Sequence, residues 1–433
     1  MWHHFFCIII CSMLLSVCPA TAYIGTFTPR LTLGTEYTDN VFQEKENKED
    51  DFIYSISPGF SFQLTGKRSD ASLTHSPAYR LYSDHRERSF WRHSALLSGK
   101  TGLYKNTTLN FQDSFLRTED RIQEENLIAL RNQEPYNQNK AGIWLTHQFG
   151  QSDSVFVRYD YNFLKNGDSG IGGNQNLEDN SSHSPSFGLT YWLVPRQWGL
   201  ETGGSYTRGQ YDSESDNPSD DFDNVKGNVK LIKQFNRHLD GFIKYAHTTM
   251  HYDGKTNNYQ VVNPSIGIDY TFAENGVLLL GVGYFFQVIE ESDDESGLIT
   301  EINLTKTWQL RRTSINVNAS SGYTESNLNA ENLGFTLFYR GGLKVGYAFL
   351  KDLSGDIYTS YQVNDYINFE PERKDRILIA GLGLTYQITQ WVSSRVEYNF
   401  RQVDSTFDLN DFPENRILFN ITVSPPRPYR ILP

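Results

Sequence analysis

Few residues in this 433-residue chain are spaced for catalysis. Two dipeptides, His75-Ser76 and His183-Ser184, set a base beside a nucleophile, and His247 and His251 form an i, i+4 pair. Each lies where apolar residues recur at every second position, the period of a strand. Neighbours on a strand point to opposite faces, so His75 cannot serve Ser76 in the way a triad requires. His247 and His251 share a face but sit about 13 Å apart at roughly 3.3 Å per residue, too far for one metal ion. The "GIGG" run at Gly170 to Gly173 lies in a polar stretch rather than between a strand and a helix, so it is not a phosphate loop. No enzyme, no cofactor and no bound metal are expected.

Charge carries more information. Asp293, Asp294 and Glu295, or Asp216, Asp220, Asp221 and Asp223, offer hard oxygen ligands suited to Ca²⁺ or Mg²⁺. They lack the spacing and turn glycine of a calcium loop and read as solvated surface charge, with loose divalent bridging to lipopolysaccharide as the alternative.

The elements that must position these groups are strands. In "DFIYSISPGFSFQL", residues 51–64, Phe52, Tyr54, Ile56, Pro58, Phe60, Phe62 and Leu64 form one apolar face. Val155, Val157, Tyr159 and Tyr161 repeat the pattern, as do the stripe from Phe335 to Phe349 and the run Val392, Ser394, Val396, Tyr398 and Phe400. No run has helical spacing. Pro58 cannot donate a ladder hydrogen bond, so it should mark a bulge or weak point rather than a turn.

Breaks between strands alternate in kind. Short ones fall near Gly66-Lys67-Arg68, Lys105-Asn106, Gly150-Gln151-Ser152, Pro195-Arg196, Asn236-Arg237, Glu274-Asn275-Gly276, Arg311-Arg312, Lys351-Asp352 and Thr389-Gln390. Longer acidic ones include "QEKENKEDD" from Gln43, "RTEDRIQEE" from Arg117, "DSESDNPSDDFD" from Asp212 and "EESDDE" from Glu290. Such alternation is the pattern of a closed antiparallel transmembrane β-barrel with short periplasmic turns and longer extracellular loops. The expectation is an all-β fold of about 18 to 20 strands, the lower figure applying if the weak segment Thr107 to Arg117 fails to form one. A soluble propeller would need strands of about four to six residues and a repeated signature. These strands are twice as long and repeat in spacing, not in letters.

Residues 1–22 read as a signal peptide, with an apolar core from Phe5 to Val17 and small residues at Ala20 and Ala22. A lipoprotein signal at Cys18 is disfavoured by Val17 before it and Pro19 after it. Residues 23–424 are then the barrel and 425–433 a proline-rich periplasmic tail. All three cysteines, Cys7, Cys11 and Cys18, fall in the leader, which removes disulfide scaffolds, cysteine nucleophiles and thiolate metal sites from the mature chain. A net charge of −12 with 26 Tyr, 28 Phe and 7 Trp is poor for nucleic-acid binding, which needs a basic footprint. The expected location is the outer membrane of a Gram-negative bacterium, with its lipid and lipopolysaccharide as partners. Alternation does not fix an oligomeric state.

If the apolar stripe (Phe52, Tyr54, Ile56, Phe60, Phe62, Leu64) faces lipid, the opposite face lines the lumen. That face carries the basic residues Arg80, Lys100, Arg158, Lys226, Lys230, Lys244, Arg340, Lys344, Arg395 and Arg401. Its acidic residues are Asp160, Glu201, Asp269, Glu301, Asp356 and Glu397. A basic wall in a low-dielectric tube would favour anions. The competing expectation is that these charges pair with one another, as Arg158 with Asp160 or Arg395 with Glu397.

The N-terminal third adds a resemblance. "PRLTLGTEYTDNVF" (29–42), "DFIYSISPGFSF" and "LTHSPAYRLY" (73–82) resemble the outer-membrane β-barrel porins found beside exopolysaccharide or exosortase gene clusters. The pieces that carry it are Tyr37, Asp39 and Asn40, and Ser57, Pro58 and Gly59. The resemblance implies a porin-like channel and, more specifically, polysaccharide export or uptake. The alternative is a plugged structural or assembly protein whose acidic loops bind a surface partner.

Overall fold

In a computed structural model the alternating segments form a closed antiparallel barrel of twenty strands, from Ile24–Thr38 to Phe412–Val423. The structure describes residues 23–119, 123–124, 127–128, 135–166, 179–212, 221–254, 256–272, 275–326, 334–367, 372–406 and 411–432. The expected signal peptide, the glycine run at 170–173, Asp216 and Asp220 lie outside the described residues. Each strand pairs with its sequence neighbours, and the first closes on the last from Leu31↔Val423 to Thr38↔Arg416. Thr107–Thr118 is a full strand, paired on both sides, which decides the count in favour of twenty. Closure leaves no free edge, the condition for a sheet in hydrocarbon, where water cannot satisfy a backbone amide.

Contacts between strands that are not neighbours identify the concave side. The Lys244 ammonium lies 2.7 Å from both Glu301 oxygens, although two strands, Tyr259–Thr271 and Gly276–Ile289, separate them. Three steps of about 4.8 Å can be bridged by these side chains only where curvature brings them together. Carrying this side through the pairing registers puts all ten basic and six acidic residues of the expected lumen on it. Phe52, Tyr54 and Ile56 lie on the other side, 47%, 47% and 44% exposed. Phe60, Phe62 and Leu64 share that side by alternation, with Phe27 against Phe60 and Tyr37 against Phe52 in ring contact.

Two local features sharpen the sequence reading, the first at Pro58, where the expected weak point in pairing takes the form of a gap and not a bulge. Pro58 pairs in register with Leu31, and the third strand splits instead, into Ser69–His75 and Ala78–Tyr82. Phe60↔His75 and Ile56↔Tyr79 keep one count, so Pro58 stands opposite Pro77 and no residue is bulged out. Two facing prolines lack both N–H donors, which opens a gap in the ladder rather than a bulge. Ser57 Oγ fills part of it by donating to the Pro77 carbonyl at 2.7 Å.

The tail is the second feature. Tyr429–Leu432 forms a short strand against Gly25–Phe27. The last barrel strand has 12 residues and the first has 15, so the lower end of Ile24–Thr38 would otherwise be an uncovered edge.

Candidate functional site

The polar inner wall is built from charges held in pairs. Carboxylate partners face the expected basic residues: Arg80 with Glu36 and Glu119, Lys100 with Asp70, Arg158 with Asp160, Lys230 with Glu201, Lys244 with Glu301, and Lys344 and Arg395 with Asp356. Lys226, Arg340 and Arg401 occupy the same side, and the Arg401 guanidinium lies 5.3 Å from the Phe412 ring centre. Glu36, Asp70, Asp375, Glu414, Arg373 and Arg416 also face inward and were not read from alternation. The wall is therefore a mosaic of opposite charges.

One group lies in the short-turn half of the wall, near the start of Leu353–Tyr366 and Val392–Ser405. Arg395 Nη1 donates to Asp356 at 2.8 Å and its Nε donates to Glu397 at 2.8 Å, while Tyr358 OH donates to Glu397 at 2.9 Å. Both long side chains lie flat because glycines sit beneath them. A methyl group at Gly381 would strike the Tyr358 phenol, and one at Gly383 the Arg395 guanidinium. Charge is thus laid along the wall instead of across the lumen.

At the long-loop end the same side becomes buried. Glu119, Arg80, Glu36, Arg416 and Glu414 form one chain of alternating charge, with links of 3.4, 3.1, 3.6 and 2.7 Å. The chain crosses the seam between first and last strands. Tyr82 OH donates to Glu119, and Thr38 and Gln43 donate to Glu414. Nearby, Arg373 and Asp375 are both 0% exposed, 3.1 Å apart, and Tyr366 OH and Ser405 Oγ donate to the same carboxylate. Around the rest of the mouth Phe222, Met250, Tyr259, Phe285, Ile299 and Phe335 pack as an apolar cluster, the rings of Phe285 and Phe335 being 5.2 Å apart.

The first long loop folds over the charge chain. Asp39 takes two hydrogen bonds from Asn415, on its N–H at 2.7 Å and its side-chain amide at 2.6 Å. Asn40 donates to the carbonyls of Glu44 and Pro413 and accepts from the Glu44 N–H. The Asp39-Asn40 pair thereby ties the loop to the last strand. Val41 is then buried against Ile53 and Tyr82. His85, in the second long loop, lies 2.9 Å from Asp51 through Nδ1 and 2.9 Å from Glu49 through Nε2. Burial opposes charging of the imidazole, but the hydrogen bonds it makes to Asp51 and Glu49 outweigh it and raise the pKa of His85 above its ordinary value.

The histidines near hydroxyls take other partners. His75 stacks on His93, while Ser76 Oγ accepts from Arg30. His183 Nδ1 lies 2.6 Å from Tyr159 OH, and His247 stacks on Tyr245. Asp221 and Asp223 contact Arg208, as does Asp253, and among the described residues no cluster of three or more His, Cys, Asp or Glu is arranged to hold a metal.

A closed barrel with an apolar belt, short turns at one end, long loops at the other and a polar interior is an outer-membrane barrel of the porin type. The chain belongs to the family described as "Putative beta-barrel porin 2", which matches residues 19–169 and 280–424. The fold is similar to that of the FrpB iron transporter from Neisseria meningitidis, with TM-score 0.53 and 11% identity over 92% of this chain and 82% of that one. The siderophore receptor PirA from Pseudomonas aeruginosa aligns at TM-score 0.49 and 12% identity, covering 94% and 81% of the two chains. OccAB4 from Acinetobacter baumannii aligns at 0.38 and 14%, covering 92% and 98%. No curated protein sequence matches the chain.

Proposed function

We propose that the protein is a passive channel for polar, hydroxyl-rich solutes, with polysaccharide in export or uptake as its cargo. The observation that carries this reading is the inner wall: charged side chains laid flat in pairs, as at Arg395, Asp356 and Glu397, leave polar surface along the lumen with little net field. Neutral or weakly charged hydrated chains suit such a wall better than strongly charged ions. The basic residues Arg80, Lys100, Arg158, Lys226, Lys230, Lys244, Arg340, Lys344, Arg395 and Arg401 then contribute only a mild anion preference. Planar-bilayer recording tests the proposal. A steady single-channel current, interrupted by added oligosaccharide, is expected, and absence of current sinks it. Anion preference that disappears when Arg340, Lys344, Arg395 and Arg401 become Gln supports the basic contribution.

The packed long-loop mouth favours a second reading, a plugged structural or assembly protein that offers its acidic loops to a surface partner. A protein that folds and inserts normally yet passes no current under any condition is the result that reading requires.

A further inference from the structure

We propose that residues 39–50 are a lid over the seam side of the lumen, latched at low pH by His85 and released as pH rises. Both ring nitrogens of His85 face carboxylate oxygens at 2.9 Å, Nδ1 toward Asp51 and Nε2 toward Glu49. Ionised carboxylates only accept, so only the imidazolium, with two N–H groups, satisfies both contacts. The neutral ring donates to one and turns a lone pair on the other.

The two carboxylates are not equivalent. Asp51 Oδ1 accepts the N–H groups of Ser83 and Asp84 and its Oδ2 that of His85, so it stays in place without the imidazole proton. Glu49 is 58% exposed at its side chain and belongs to the lid. Its carbonyl accepts the N–H of Val41 at 2.8 Å, which couples the latch to the residue wedged against Ile53 and Tyr82. Losing the Glu49 contact therefore loosens the wedge.

Other features fit a movable segment. Gln43 and Asn47 hold φ of 56°, a left-handed conformation that is strained for non-glycine residues. The hinge is the pair of seam attachments, Asp39 to Asn415 and Asn40 to Pro413. Under the lid, beyond the charge chain, lies a cavity of about 250 Å³ touched by Glu36, Ser55, Arg80, Arg92 and Asn420. The groups facing His85 are Glu49 and Asp51 from the lid and strand, and the Phe42 ring, perpendicular to the imidazole with ring centres 4.9 Å apart, with Arg88 over the same Phe42 ring at 5.0 Å. Asp84, Arg86, Glu87 and Arg88 are the charged residues of its own turn.

The sign follows from the direction of the shift. The His85 pKa is raised when latched, so the latch is complete below the free-imidazole value of about 6.5 and is lost as pH climbs through the higher latched value.

The test is thiol labelling of the mature, otherwise cysteine-free protein in lipid vesicles, comparing V41C with K48C at an exposed lid position so that the pH dependence of the thiol itself cancels. The V41C to K48C rate ratio is expected to rise about tenfold between pH 5.5 and 8.5. In H85Q, and in E49Q should H85Q fail to insert, the ratio is expected to be high at both pH values. A flat ratio in the otherwise wild-type protein, or an unchanged rise in the latch variant, overturns the lid. Labelling requires no ion current, so this result stands apart from the fate of the channel proposal.

Discussion

Asn224 and Asn228 sit on the same side of one strand, four residues apart, yet Asn224 is 4% exposed and Asn228 lies open. The same contrast runs round the barrel. Thr336 near the long loops is fully buried, whereas the Lys344 side chain, further down its strand, is 61% exposed. Arg373 and Asp375 pair in the dry at the loop end, while Lys100 and Asp70 pair near the short turns with side chains 62% and 45% exposed. Pleat alternation sets which side of the wall a residue occupies, and depth along the strand sets what environment it meets. Identical chemistry is structural at one end and solvated at the other.

The largest effect that separates the two ends should come from Arg373→Ala. It strands Asp375 in a buried site, and loss of one partner of such a pair costs about 3–5 kcal/mol. Lys100→Ala at the open end should cost about 0–1 kcal/mol. Urea unfolding of both variants in detergent gives the comparison directly, and equal losses would erase it. Phe285→Ala, in the apolar cluster of the loop end, should lower stability by about 3 kcal/mol in the same assay.

In the short-turn half of the wall, effects should move from stability to selectivity. Arg395→Gln leaves Asp356 and Glu397 without their shared guanidinium. Reversal potentials in a salt gradient should shift toward cations by a permeability ratio on the order of two- to threefold, and an anion-directed shift would contradict the pairing. Gly381→Ala should push Tyr358 off the wall, cost about 1–2 kcal/mol and reduce unitary conductance. The smallest change is Pro77→Ser, which restores one N–H opposite Pro58 and should stabilise by about 1 kcal/mol or less.

Much of this was readable in the residues. Period-2 stripes such as Phe52 to Leu64, broken alternately by short and acidic segments, defined the barrel and its two faces because alternation is a local property. The adjacent pairs Arg158 with Asp160 and Arg395 with Glu397 were legible for the same reason. Lys244 with Glu301, 57 positions away, was not, since it depends on register and curvature across several strands. The Tyr37, Asp39, Asn40 motif could be recognised as a pattern, but its partner Asn415 appears only when the barrel closes. Burial at the loop end left no trace in alternation, which reports side and not depth. Pro77 carried a signal that the sequence reading missed, because a proline opposite a proline requires the strand register.

Inward side chains are exposed near the short turns, as at Lys100 and Asp70, and packed near the long loops, as at Arg373 and Asp375, so the lumen should narrow toward the long loops. The most direct measurement is unitary current in the presence of neutral polymers of graded size, added to one side of the bilayer at a time. Polymers entering from the short-turn side should lower the current up to a larger size than polymers entering from the long-loop side. The same size limit from both sides would contradict a lumen that narrows toward the long loops.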